Sequence, residues 1–542
     1  MKNKFFYAAL LALPFALYSC DKKNDAPPVD TDMDALINGI YRPLQTLSSS
    51  YSFLVESATE TTVSFEDPDN APGPLVSLLD IRPDNWYAVK VFNRLYSSIA
   101  LANDAIKQIE EHPLSASLTQ DKKDLLIARA KFIRGYNYFQ LVQLYGEVPL
   151  ILTTDASSID KTTRKSIDEV YTQIVSDLTA AIEKLPEVDN ANKSNPSQLA
   201  AKTILAKAYL TWGSKPLSQS DVQSIASATS DPAKPAVDND KLQQAITYAN
   251  AVINSGKYEL LPNFNKIWGV SNENNAEVIF SIHHEGDGID AQGNHQTHCG
   301  FTFPTDERAE PHIQWADITL ENAIPDGDAR KSYSYVTSVS YEKSGDAIDT
   351  LTWPLSIVRP GKWIHRKTDG TNLADGVDVQ LNDIDHIDFR LAEVYLIKAE
   401  AEFYANNAAN ALAAVNALRT RAGVATLGSI TEADLQAEWG YEFAFEQKHW
   451  INLVRWRTLL SSVLTKVPTY EYYKQPEYTD SLTFVGTTYN GIPADPTRFS
   501  FYKHINKHLR AKVANIKGLN YRFPIPTAED GSSLGIAQNP GY

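Results

Sequence analysis

Apolar and small residues recur three and four positions apart through two long blocks of this chain. That period predicts helices with one buried stripe each. The first block runs over about 86–258 and divides into 91–111, 121–145, 167–185, 198–212 and 241–254; the second covers about 388–460. Ser197 and Asp240 stand where N-caps belong, and Pro186 and Gly256 fall just past predicted helix ends.

Small and large residues alternate along these helices as in stacked antiparallel pairs. Ala399 faces Ala411, Val415 and Leu418 of the following helix, and Ala206 and Tyr209 face Ala245, Ala249 and Val252 across a polar insertion at 213–239. Ile174, Leu178, Ala181 and Pro186 fit the second helix of such a pair. The expected fold is mainly α, a tetratricopeptide-like helical-repeat scaffold. Between the blocks, over about 260–387, the helical period fades. Gly, Asp, Asn and Pro become frequent, and the apolar runs are short, as at 278–282 and 333–339. The tail, 468–542, has a similar texture. Both predict long irregular loop segments with a few short strands, where binding residues tend to concentrate.

The first residues form a separate element. Lys2 and Lys4 precede an uncharged apolar run over 5–18, then Leu17-Tyr18-Ser19-Cys20 and a polar stretch with Pro27-Pro28. The run of 14 residues is short of the roughly 20 that span a bilayer. The pattern is that of a signal peptide and resembles a bacterial lipobox. It implies removal of 1–19, lipidation of Cys20 and a stalk over 20–34, after which 35–542 could form one large domain or several smaller ones. Several acyl chains on one cysteine anchor firmly, whereas one chain alone holds weakly. A formal charge of −16 argues against nucleic acid or an anionic membrane surface as the main partner. With Cys20 taken by lipid, Cys299 has no cysteine to pair with, so the fold rests on its core.

Four motif groups point to one family. The chain carries Arg129-Ala130-Lys131-Phe132-Ile133-Arg134-Gly135-Tyr136, leading to Leu144-Tyr145-Gly146-Glu147-Val148-Pro149-Leu150. Phe389-Arg390-Leu391-Ala392-Glu393-Val394-Tyr395 leads to Lys398-Ala399-Glu400-Ala401 and Asn416-Ala417-Leu418-Arg419-Thr420-Arg421-Ala422-Gly423. Tyr441-Glu442-Phe443-Ala444-Phe445-Glu446-Gln447-Lys448-His449-Trp450 ends in Leu453-Val454-Arg455-Trp456. The carboxyl end has Tyr521-Arg522-Phe523-Pro524-Ile525-Pro526 and Gln538-Asn539-Pro540-Gly541-Tyr542. Together with the lipobox this resembles the SusD/RagB family; it departs at Asn452, where the family usually has Asp. The resemblance implies an outer-membrane surface lipoprotein that captures nutrient, usually glycan, as the lid of a TonB-dependent, SusC-like β-barrel transporter. Peptide capture, or a structural lid with little ligand affinity, are the alternatives.

Physically the motifs read as scaffold. Arg390, Glu393, Glu400, Arg419 and Arg421 are charges on apolar helices, expected to pair between stacked helices because buried charge must be compensated. Pro524 and Pro526 fix an extended segment suited to packing across helices.

Sugar binding needs flat aromatic faces beside polar groups. The expected ligand residues are Trp86, Trp315 and Trp353, with Arg82, Asp84, Asn85 and Trp268; Trp363 lies in the same irregular segment. Trp212, Trp439, Trp450 and Trp456 lie on helical patterns and are expected in the core. His283, His284, His295, His298 and Cys299 cluster in sequence but match no compact zinc spacing, so no metal and no cofactor are expected. No carboxylate pair is singled out for glycoside hydrolysis, and nucleophile, zinc-protease, phosphate-loop and dinucleotide motifs are absent. A binding protein, not an enzyme, is expected.

Overall fold

Each periodic stripe is a helix whose apolar face lies on its neighbours. The structure, a computed structural model, describes residues 32–64, 76–155, 157–284, 314–317, 323–336, 338–343, 347–352, 357–362, 384–474, 488–489, 492–493, 496–528 and 531–542. Cys20, Cys299, His295, His298, the leader and most of the stalk lie outside the described residues. The helices before the loop-rich segment are α1 (Met33–Gln45), α2 (Ser48–Ser57), α3 (Trp86–Glu111), α4 (Gln120–Tyr145), α5 (Ile167–Ile182), α6 (Gln198–Gly213), α7 (Gln219–Ile225) and α8 (Asn239–Ile253). Those within and after it are α9 (Ala329–Ser334), α10 (Leu391–Tyr404), α11 (Ala408–Arg421), α12 (Glu432–Glu442), α13 (His449–Trp456), α14 (Leu459–Lys466), α15 (Glu471–Lys474) and α16 (Pro496–Asn515).

Packing follows chain order. α1 lies on α3, α3 on α4, α4 on α5, α5 on α6, α6 on α8, α8 on α10, and α10 on α11. The mainly α, repeat-like scaffold expected from the stripes is therefore present. Ala206, Ala245, Ala249, Val252, Ala399, Ala411, Val415 and Leu418 are all buried. Small residues at these crossings let the helix backbones approach closely. Among the described residues no helix is long and apolar enough to cross a membrane.

Local chemistry sets the boundaries. Ser166 and Glu169 close a capping box at the start of α5, and Ser197 caps α6 as expected. Asp238, not Asp240, caps α8, its carboxylate accepting from the Lys241 N–H. α5 stops at Ile182, short of 185.

α1 and α2 lie ahead of the first predicted block, where the sequence pattern assigns no element; α2 is buried on every described side, so its Ser and Glu residues show no one-sided stripe. One expectation of element type fails. α16 lies in the tail read as irregular. Among its described residues Ile505 and Leu509 are buried together with the polar Asn506, His508 and Lys512. A face that mixes apolar and satisfied polar groups carries no hydrophobic period.

Among the described residues the short strands are β1 (Thr62–Ser64), β2 (Val278–Ile282), β3 (Gln314–Asp317), β4 (Tyr335–Val336), β5 (Ser338–Lys343), β6 (Ala347–Thr352), β7 (Ile357–Pro360), β8 (His386–Arg390), β9 (Thr488–Tyr489) and β10 (Ile492–Pro493), the last two paired antiparallel. One sheet has the order β1-β3-β7-β4, and β2 pairs with β8 and β5 with β6, all antiparallel. A small second core of Phe264, Ile267, Trp268, Tyr333, Tyr335 and Phe445 lies under the loop-rich segment, separate from the main helical core.

The carboxyl-terminal motif packs across the helices, as its prolines suggested. The Phe523 N–H donates to the Leu144 carbonyl over 3.0 Å, and Asn539 Nδ2 donates to the Tyr145 and Phe523 carbonyls. Gly518 opens this segment against the turn after α7. A Cβ there would stand 1.9 Å from the Ile225 carbonyl oxygen, so backbone must move to admit it. Gly518→Ala is expected to lower stability by about 1–3 kcal/mol, read as a drop in thermal midpoint; an unchanged midpoint would show that this contact is slack.

Candidate functional site

The loop leading into α3 is built by hydrogen bonds to its backbone. Asn515 Nδ2 donates to the Leu78 carbonyl over 2.9 Å, Asn520 Nδ2 to the Leu79 carbonyl over 3.4 Å, and the Thr527 N–H to the Pro83 carbonyl over 2.9 Å. The carboxyl-terminal segment thus holds this loop. The Asn85 N–H closes a turn onto the Arg82 carbonyl, and Asn85 Oδ1 accepts from the N–H groups of Tyr87 and Ala88, both at 3.1 Å. That cap satisfies two of the donors left open at a helix start. Asn85 is 2% exposed, so the side chain expected to touch ligand is committed to the helix. This corrects its assignment: it positions the next residue.

The next residue is Trp86. Its indole is 61% exposed, against at most 4% for Trp268, Trp439, Trp450 and Trp456. Lys90, one turn on, sets its ammonium 4.2 Å from the ring centroid. Arg82 and Asp80 pair at 3.0 Å with side chains 60% and 54% exposed, and Asp84 is exposed beside them. An exposed pair of this kind contributes about 0–1 kcal/mol, so it can exchange its partner for a ligand hydroxyl at little cost. Below, Tyr87 stacks on Phe53 with centroids 4.9 Å apart, which fixes the first turn of α3. The result is a flat apolar plate with cationic and anionic neighbours on a rigid helix end. Asp80 and Lys90 were not picked out in the sequence; Lys90, at the i+4 position from Trp86, could have been.

Trp268 is a second correction. It is 1% exposed, packed between Phe264 at 4.8 Å and Tyr333 at 5.4 Å, with the Lys362 ammonium 4.8 Å from its ring centre. It belongs to the small core under the loops. Trp315 pairs through its backbone with Val63 of β1; its side chain, Trp353 and Trp363 lie outside the described residues. Trp439, Trp450 and Trp456 are core as expected. Trp212 is half-buried, stacked on Tyr171 at 5.3 Å.

The loop-rich segment is pinned to the helices by charge. Arg330, Lys362, Arg390, Arg419 and Arg421 meet Asp328, Glu277, Glu438, Glu442 and Glu446 in one buried network. Five cations and five carboxylates balance, which is the condition for burying them. Glu442 is its hub, bonded to Arg330, Arg390 and Arg421. Burial pushes its carboxyl up, but the charges of Arg421, Arg390 and Arg330 prevail and hold it well below the usual carboxylate range. Glu393 faces Lys207 at 3.3 Å and Lys448 at 3.4 Å, and Glu400 pairs with Arg455. All five charges read as structural pair in this way.

His283 Nδ1 lies 2.8 Å from Asp385 Oδ1, at the end of β2. Glu273, His283 and Asp385 bring ligand-type atoms within 4.8 Å of one another. Asp385 Oδ1 also accepts the His284 N–H over 3.0 Å, so this carboxylate closes the strand end.

Residues 205–542 match a model described as the SusD family, and residues 20–210 match one described as starch-binding associating with outer membrane. A SusD-like protein of Bacteroides ovatus is 25% identical over 394 residues, 67% of this chain; the match spans 64% of that relative's length. The starch-binding protein SusD of Bacteroides thetaiotaomicron is 25% identical over 441 residues, 71% of this chain and 73% of its own. A solved laminarin-binding SusD-like protein superposes with a TM-score of 0.67 at 22% identity, covering 95% of this chain and 99% of that one.

Proposed function

Because this chain belongs to the SusD family, we propose that it is an outer-membrane surface protein that captures an oligo- or polysaccharide. It passes the glycan to a TonB-dependent β-barrel transporter as that transporter's lid, and is held by lipid on Cys20. The observation that carries the binding reading is the exposed indole of Trp86 on a capped helix end, rimmed by Lys90, Arg82, Asp80 and Asp84. A pyranose presents C–H groups on one face and hydroxyls at its edge. An indole takes the first, and charged or amide side chains take the second. The starch-binding and laminarin-binding relatives support the ligand class. Ring stacking and hydrogen bonding require no bond to be broken, so the protein is read as a non-enzyme.

Calorimetry of the mature protein against a glycan panel, with peptide mixtures in parallel, tests the reading. Saturable binding of at least one β- or α-glucan and none of the peptides is expected; peptide binding alone would replace the ligand class. The anchor is tested separately. Cys20→Ala is expected to move the protein out of the membrane fraction and abolish fatty-acid labelling, and retention of both would refute lipidation at this cysteine.

A further inference from the structure

Away from Trp86, three arginines line one small cavity. Arg455 lies on α13, Arg457 directly follows that helix, and Arg522 comes from the carboxyl-terminal motif; Gln143, Tyr171 and Thr211 complete much of the wall. The three arginines are 8%, 8% and 3% exposed. Gly146 makes room for the third: it sits at φ +76°, and a Cβ there would lie 2.7 Å from Arg522 Nε.

Their charge is poorly compensated. Arg455 pairs with Glu400 and donates to Asn452 Oδ1 over 2.9 Å, but its buried Nε has no hydrogen-bond partner. Arg457 donates to the Lys215 carbonyl over 2.7 Å, and Arg522 donates to the carbonyls of Tyr521 and Leu217. Carbonyl oxygens accept these N–H groups but carry no net charge. Among the described residues, Glu400 is the one carboxylate in ion-pair contact with any of the three. Glu393 acts on Arg455, Glu147 on Arg522 and Asp221 on Arg457 from further away, and Glu393 and Glu147 are shared with Lys207, Lys448 and Arg164. Burial, aided by the charges of Arg457 and Arg164, pushes the Arg522 guanidinium down to about 10. Burial alone moves a cation in that direction, and the neighbouring cations add to it.

We propose that this cavity binds a small monatomic anion of chloride size, which neutralises the guanidinium excess and ties the carboxyl-terminal segment to α4–α6 and α13. The cavity has room for at least one water-sized particle, so a monatomic anion of chloride size fits it. The site is separate from the glycan-binding plate and does not depend on that reading.

Bromide replaces chloride and scatters anomalously. Crystals of the mature protein soaked in sodium bromide, with data collected at the bromine edge, are expected to show a peak within hydrogen-bonding reach of Arg457 and Arg522. In solution, the thermal midpoint is expected to be higher in sodium chloride than in sodium gluconate at equal ionic strength. Arg457→Gln is expected to remove that difference. A cavity filled by water alone, with bromide only on the outer surface and equal midpoints in the two salts, overturns the proposal.

Discussion

Replacing Glu442 with alanine is expected to cost about 3–5 kcal/mol of stability, because it strips one partner from a buried ionic network and leaves the others in place. Arg330, Arg390 and Arg421 all bond to this carboxylate, and both Arg390 and Glu442 are fully buried. Without it five buried cations would face four carboxylates, and low local polarisability makes the uncompensated charge expensive. Chemical denaturation of the mature variant against the parent reads the loss. Lys257→Ala is the control: its ion pair with Glu187 has side chains 44% and 52% exposed, so a change under about 1 kcal/mol is expected. Glu442→Gln combined with Arg421→Gln restores the charge balance and should cost less than the two single changes added together. Additive losses would refute the shared network. The same hub predicts acid lability. The folded carboxyl lies well below its ordinary value of 4.5, so its contribution is complete above that value and disappears as pH falls through the folded one.

The network also explains what the sequence exposed and what it concealed. Arg390, Glu393, Glu400, Arg419 and Arg421 stood out as charges on apolar helices, a pattern that has few solutions other than pairing. Glu438 and Glu442 recur one turn apart on α12, so their shared face was readable too, whereas Glu446 lies past the helix end. Arg330, Asp328 and Lys362 were not. They sit among the Gly- and Asp-rich loops, where no period marks an inward side, and tertiary contact alone buries them. The helical stack was legible because one-sided stripes report burial directly. α16 was hidden because its described buried face mixes Ile505 and Leu509 with Asn506, His508 and Lys512. Lys512 donates to the carbonyls of Ser57, Thr59 and Thr62, so a residue that reads as solvent-facing is a buried tie. The site was legible in part. A Trp at a helix mouth was visible, but no single-sequence signal separated the exposed indole of Trp86 from the buried one of Trp268. That difference depends on what folds over each ring.

Trp86→Ala is expected to weaken glycan binding by roughly 30-fold, the effect of about 2 kcal/mol at an interface hot spot. The indole is the large exposed aromatic surface at this helix end, and alanine offers a sugar ring no face to stack on. Stability should stay within about 0.5 kcal/mol, since the ring leaves little buried area behind. Lys90→Met separates two roles of the neighbouring cation. Its ammonium 4.2 Å from the ring centre contributes about 0.5–1 kcal/mol at an exposed position, so a loss of a few-fold at most is expected. Asn85→Ala tests positioning. It removes the two cap bonds, costs about 1 kcal/mol of stability, and should weaken binding through a displaced Trp86 although Asn85 itself is buried. Calorimetry with the tightest glycan from the panel measures all three. Unchanged affinity in Trp86→Ala, with the fold intact, would move the ligand to another surface of the protein and leave this helix end without a part in capture.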